Sequence, residues 1–216
     1  MQKLIEYTKS FGIAIIAALI IRALIIQSYK IPSGSMEDTL LVGDVLFVNK
    51  FIYGSIIPFT DVRLPEIRDP RSGDVVVFKY DGDSNNYIKR CIAAGGQVVE
   101  IRGKVVYVDG KEFEEILHLK FEDSNIYPKD YAESNIYPPD FGFNRDNYGP
   151  VRVPEDHFFM LGDNRDNSID SRYRGIIPRR NIIGKALIIY WSWDSIKPIY
   201  EVFSKVRWPR IADIIR

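Results

Sequence analysis

Hydrophobic and polar positions divide the chain into two unlike parts. From Phe11 to Ile26 the sequence reads FGIAIIAALIIRALII, apolar on every side of a helix except at Arg22. With its flanks, from Ser10 to Gln27, the run makes a helix of about 27 Å, close to the roughly 30 Å of a bilayer's hydrocarbon core. Arg22 stands near its C-terminal end, where a long side chain can reach the interface. An apolar surface all round suits lipid better than a protein core. A cleavable leader would end in small residues around its cut, but this run continues into Gln27-Ser28-Tyr29-Lys30-Ile31-Pro32. The pattern predicts a transmembrane helix over 10–28. Lys3 and Lys9 favour a cytoplasmic N-terminus over 1–9, although Arg22 and Lys30 on the other side weaken the charge asymmetry.

Beyond the helix the period changes. Short runs rich in Val, Ile, Phe and Tyr alternate with Gly, Asp, Asn and Pro, which predicts strands at Val45–Val48, Val75–Tyr80, Gln97–Ile101, Lys104–Val108 and Ile182–Tyr190. Turns are expected at Arg102-Gly103 and Asp109-Gly110. Residues 111–156 are instead rich in Tyr, Pro, Asp and Asn, and carry SNIYP twice, at Ser124–Pro128 and Ser134–Pro138. Two copies are too few for a solenoid, so an inserted, cap-like, loop-rich subdomain is expected there. The fold class is mainly β: an antiparallel β-sheet domain in two parts, 29–110 and 157–198, interrupted by the insert. Residues 199–216 are expected to form a short helix interrupted by Pro209.

Composition narrows the partners. Basic and acidic residues balance at 29 each, so no net charge advertises nucleic acid. The one cysteine, Cys91, excludes an internal disulfide and a cysteine-based metal site. No cofactor or metal is implied. His118 and His157 are read as ordinary surface or structural residues, since no Gly-x-Ser-x-Gly elbow exists for them to serve.

Three segments carry candidate chemistry. In Ile31-Pro32-Ser33-Gly34-Ser35-Met36, Gly34 leaves room for a substrate chain to approach; equally, Ser35-x-x-Asp38 matches a helix capping box. If Asn86–Ile92 is a strand, alternation puts Tyr87, Lys89 and Cys91 on one face and Ile88, Arg90 and Ile92 on the other. A solvated lysine is the ordinary expectation, but Tyr87 and Cys91 do not seek water. A buried lysine loses hydration, its pKa falls, and its neutral amine can take the proton from a serine hydroxyl. The third segment, Gly162-Asp163-Asn164-Arg165-Asp166-Asn167-Ser168-Ile169-Asp170-Ser171-Arg172, reads as a turn-rich loop. A calcium loop is excluded there by the missing glycine and glutamate. Following the apolar Phe158–Leu161, its charges need internal pairing, and Asp170 with Arg172 is the obvious pair.

In order along the chain, the apolar helix, PSGSM, GDVLFVNK, RSGDVVVFKY with YIKR, and GDNRDNSIDSRY resemble the type I signal peptidases, membrane serine endopeptidases that remove signal peptides from exported preproteins. The resemblance implies Ser35 as nucleophile and Lys89 as general base. It implies Ser33 as an oxyanion donor beside the backbone N–H of Ser35, Ser168 as a partner orienting Lys89, and Asp170–Arg172 as the pair holding the loop. Ile31, Met36, Leu40, Tyr87 and Ile88 would line shallow apolar pockets for small residues, in an Ala-x-Ala pattern. The expected partners are secretory signal peptides and the lipid bilayer. The expected location is the bacterial inner membrane, single-pass, with the catalytic domain outside the cytoplasm. Self-cleaving repressors share a Ser–Lys pair but carry a DNA-binding module where this chain has an apolar helix. A membrane-tethered β-domain that binds secreted partners would have no use for Ser35, Lys89 and Ser168 converging on one point.

Overall fold

The computed structural model describes residues 2–58, 60, 62–114, 119–131, 143–194 and 197–216. The first helix, α1 (Gln2–Leu24), is followed at once by strand β1 (Ile26–Lys30). Its window Glu6–Leu24 is long and apolar enough to cross a membrane, and none of it is buried in the protein. The helix ends earlier than the apolar run does. Ser55 Oγ donates to the Leu24 carbonyl, and the Lys50 amide takes the Ile25 carbonyl at 2.8 Å. With those acceptors diverted, Ile26 pairs with Asn49 as strand. The expected span 10–28 is therefore shifted toward the N-terminus, and its last residues belong to the sheet.

Next come β2 (Asp44–Asn49), β3 (Val75–Phe78), β4 (Tyr87–Ala94), β5 (Val98–Arg102), β6 (Val105–Val108), β7 (Lys111–Glu112), β8 (Tyr148–Arg152), β9 (His157–Leu161), the short helix α2 (Ser171–Arg174), β10 (Ile177–Pro178), β11 (Ile182–Ser192) and β12 (Asp213–Ile214). All pairings among these strands are antiparallel. The larger sheet runs β1-β2-β11-β3-β4-β9-β10, with β12 also on β11, and the smaller runs β7-β6-β5-β8.

Period-2 alternation sorts the apolar residues into distinct clusters. On β3, Val75 and Val77 face a cluster with Ile31, Met36, Leu40, Leu46, Val48 and Ile189, while Val76 and Phe78 face Tyr53, Cys91, Met160 and Ile182. Both faces of β3 are thus covered, which is why its four residues are uniformly apolar. A third cluster, with Ile92, Phe159 and Leu161 against Val99, Ile101 and Val106, joins the two sheets.

The described middle of 111–156 is loop, and its ends are strands: β7 pairs with β6, and β8 pairs with β5. The smaller sheet therefore already begins at Val98, before the expected insert. The second SNIYP copy lies outside the described residues. The C-terminal segment is not one helix. Short helical turns at Ile199–Glu201, Val202–Lys205 and Trp208–Arg210 give way to β12. Arg210 binds the fully buried Asp44 at 2.6 Å, and Ile215 enters the core beside Met36, pulling this end onto the sheet.

Candidate active site

Ser35 stands in a series of turns over 35–39, with no helix after it. Asp38 has φ of 80°, a left-handed conformation that an α-helix cannot continue. The capping-box alternative is thereby excluded. Met36 and Leu40, nearly or fully buried and tied by a Leu40 N–H bond to the Met36 carbonyl, anchor the loop to the core. Ser35 is left facing a groove.

Lys89 meets it from β4. Its Nζ donates to Ser35 Oγ at 2.5 Å, although the two residues are far apart in sequence. The lysine is only 3% exposed. Tyr87 and Cys91 pack on the same side of β4, as alternation predicts. Residues 87–89 pair with β3 alone, because β9 joins only from Arg90 onward, so Lys89 lies beside an open strand edge.

Burial pushes the Lys89 amine down from 10.5 to about 8, against the opposing pull of Asp170 and then Asp163. Two buried carboxylates so near should hold an ammonium firmly charged. Each, however, already has a guanidinium of its own. Arg172 binds Asp170 in a two-pronged pair at 2.9 and 2.8 Å, and both are essentially buried. Arg90 grips Asp163 in the same way at 2.8 and 2.6 Å. These forks neutralise the carboxylates locally, so desolvation prevails at Lys89. Asp170 also caps α2 and accepts from the Gly162 N–H at 3.1 Å.

The expected Asp170–Arg172 pair is present. The Arg90–Asp163 pair, braced by Thr39 Oγ1 at 2.6 Å from Asp163, was not foreseen. Its signal was there: Arg90 shares a strand face with Ile88 and Ile92, and a cation so placed needs an anion. The roles of Gly162 and Asn164 were missed as well. Asn164 donates from its backbone to the Ser35 carbonyl and from its side chain to the Gly34 carbonyl, each at 3.2 Å. A Cβ on Gly162 would lie 2.2 Å from Ser168 Oγ and 2.5 Å from the Ser35 carbonyl oxygen. Only glycine lets the loop approach so closely.

Ser168 departs from expectation. It sits against Gly162, 5% exposed, but among the described residues its hydroxyl has no hydrogen-bond partner, so the expected bond to Lys89 is not formed. A groove of about 570 Å³ passes Ser35 and Lys89, bordered by Ile31, Ser33, Met36, Tyr87 and Ile88. Ser33 is exposed on it. Leu40 does not line it; the residue is fully buried beneath Met36 as part of the core. His157 contacts the Glu155 carbonyl at 2.7 Å, away from the groove, and His118 lies outside the described residues.

The family model described as "Signal peptidase, peptidase S26" matches residues 4–191. The chain is 38% identical over 213 residues to signal peptidase I of Pseudomonas fluorescens, covering 90% of this chain and 75% of that protein. To signal peptidase I of Aquifex aeolicus it is 36% identical over 222 residues, covering 82% and 80%. Among solved structures, a signal peptidase I from Enterococcus faecalis V583 aligns with a TM-score of 0.41 at 26% identity, covering 55% of this chain and 97% of that one.

Proposed function

The chain belongs to the signal peptidase family, peptidase S26, and is a serine endopeptidase; we propose that it removes signal peptides from secretory preproteins with Ser35 as nucleophile and Lys89 as general base. The observation that carries this assignment is the 2.5 Å contact between a buried amine and an otherwise unactivated hydroxyl. Neutral Lys89 takes the Ser35 proton as Oγ bonds to the scissile carbonyl carbon. The resulting oxyanion is held by the Ser33 hydroxyl and the Ser35 backbone N–H. Lys89 then gives its proton to the leaving amine, and the peptide C–N bond breaks to leave an ester on Ser35. A water molecule, deprotonated by the same amine, hydrolyses that ester and restores the hydroxyl.

Ile31, Met36, Tyr87 and Ile88 give the groove an apolar stretch among polar neighbours, which suits small side chains near the cut. The bilayer anchor is α1, crossing the inner membrane once with Lys3 and Lys9 inside and the sheets outside.

The test is to incubate the detergent-solubilised chain with a signal-bearing precursor and sequence the new N-terminus. One cut after an Ala-x-Ala site is expected, lost in Ser35→Ala and Lys89→Ala. Continued cleavage by folded Ser35→Ala would refute the assignment.

A further inference from the structure

Tyr87 borders the groove, yet what fixes it lies behind the groove wall. Arg174, the last residue of α2, holds its guanidinium 4.3 Å from the centre of the Tyr80 ring and 5.2 Å from that of Tyr87. Its Nη1 donates to the Tyr87 hydroxyl at 2.6 Å. That hydroxyl donates in turn to Asp83 Oδ2 at 2.6 Å, and Arg174 approaches the same carboxylate at 3.3 and 3.4 Å. The Tyr80 and Tyr87 rings meet edge to face at 4.8 Å. Beyond Arg174 lies a second cavity of about 390 Å³, lined by Tyr80, Tyr173, Arg174 and Ile177.

The same four-residue helix is therefore capped by Asp170, the carboxylate that acts on Lys89, and ends at the cation that holds Tyr87. Asn85 and Asn86, between Asp83 and Tyr87, also border the groove. Holding Asp83 and Tyr87 together fixes that wall.

We propose that Arg174 is a positioning residue for substrate selection: by locking the Tyr87 ring and the 83–86 loop, it sets the size of side chain the groove accepts. This rests on the groove being the substrate site. A purely stabilising role is a poor alternative. The Arg174 side chain is 35% exposed, and partly exposed ion pairs and cation–π contacts add little to stability. Their value here is geometric, because a tyrosine free to swing would widen the groove.

The experiment uses the full chain in detergent with two precursors that carry alanine or valine immediately before the cut. Arg174→Ala should raise KM for the alanine precursor about 3- to 10-fold, the scale of one or two lost hydrogen bonds. It should leave kcat within about twofold, since those bonds lie off the reacting atoms. The preference for alanine over valine should narrow, and the acid limb of the pH profile should not move. Tyr87→Phe, which keeps the ring and loses the hydroxyl, should act in the same direction, and the double variant should be no worse than either single one. Unchanged KM and preference in Arg174→Ala, or effects that multiply in the double variant, would overturn the proposal. If cleavage survives Ser35→Ala, the groove assignment itself has failed; if cleavage depends on Ser35 while Arg174→Ala matches the parent, only the role of Arg174 has.

Discussion

Replacing Lys89 by methionine should abolish cleavage and make the folded domain more stable at neutral pH. Methionine is nearly isosteric with the lysine stem, and the site is already dry. In the folded protein the amine titrates at about 8, against 10.5 for an ordinary lysine. Below pH 8 it is charged in both states, and the folded state bears the whole cost of burying it. Between 8 and 10.5 only the unfolded chain keeps the proton, so stability rises with pH. Above 10.5 neither state is protonated and the cost disappears. At about 1.4 kcal/mol for each tenfold change in proton affinity, the cost is about 3 kcal/mol. The lost bond to Ser35 subtracts about 1 kcal/mol at every pH and leaves the slope alone. Urea unfolding in non-ionic micelles measures this, because Trp191, Trp193 and Trp208, the only three tryptophans, all lie outside the apolar helix. The variant's advantage over the parent should be constant below pH 8 and shrink by about 3 kcal/mol towards pH 10.5. A difference that does not change with pH would show that the amine is not desolvated.

Gly162→Ala forces a methyl group to within 2.5 Å of the Ser35 carbonyl oxygen; displacing Ser35 by about 1 Å should lower kcat about 100-fold, with an overpacking cost of about 1–3 kcal/mol. Arg90→Met strands Asp163 in the core, so thermal unfolding should register a loss of about 3–5 kcal/mol. The acid limb of the rate profile should also move to higher pH, because an unmatched Asp163 favours charged Lys89. Ser33→Ala should fold normally and reduce kcat about 100- to 1000-fold in a precursor-processing assay, keeping the contribution of the remaining N–H.

Local pattern carried the reader to Lys89 because strand alternation placed it between Tyr87 and Cys91, and to Asp170–Arg172 because partners two residues apart need no tertiary information. It did not carry as far as Arg90–Asp163. The sequence shows both charges, but the pairing depends on the loop after β9 folding back over β4. Gly162 was likewise invisible as a constraint, since what forbids a side chain there is Ser35, from a distant part of the chain. Leu40 looked like a pocket residue because apolar character does not say which side of a loop it will face. The early end of α1 follows from Ser55 and Lys50 capturing two carbonyls, a competition that hydropathy cannot register. Strands β1, β8 and β9 escaped for the same reason: their partners, not their own patterns, define them.

The proposed mechanism turns on the protonation of one amine, and the dependence of kcat/KM on pH reads it in the free enzyme. A neutral Lys89 predicts a rate that climbs about tenfold per pH unit at low pH and levels off near 8. A rate still climbing to 10.5, or flat between about pH 6 and 9, would contradict Lys89 as the base that activates Ser35.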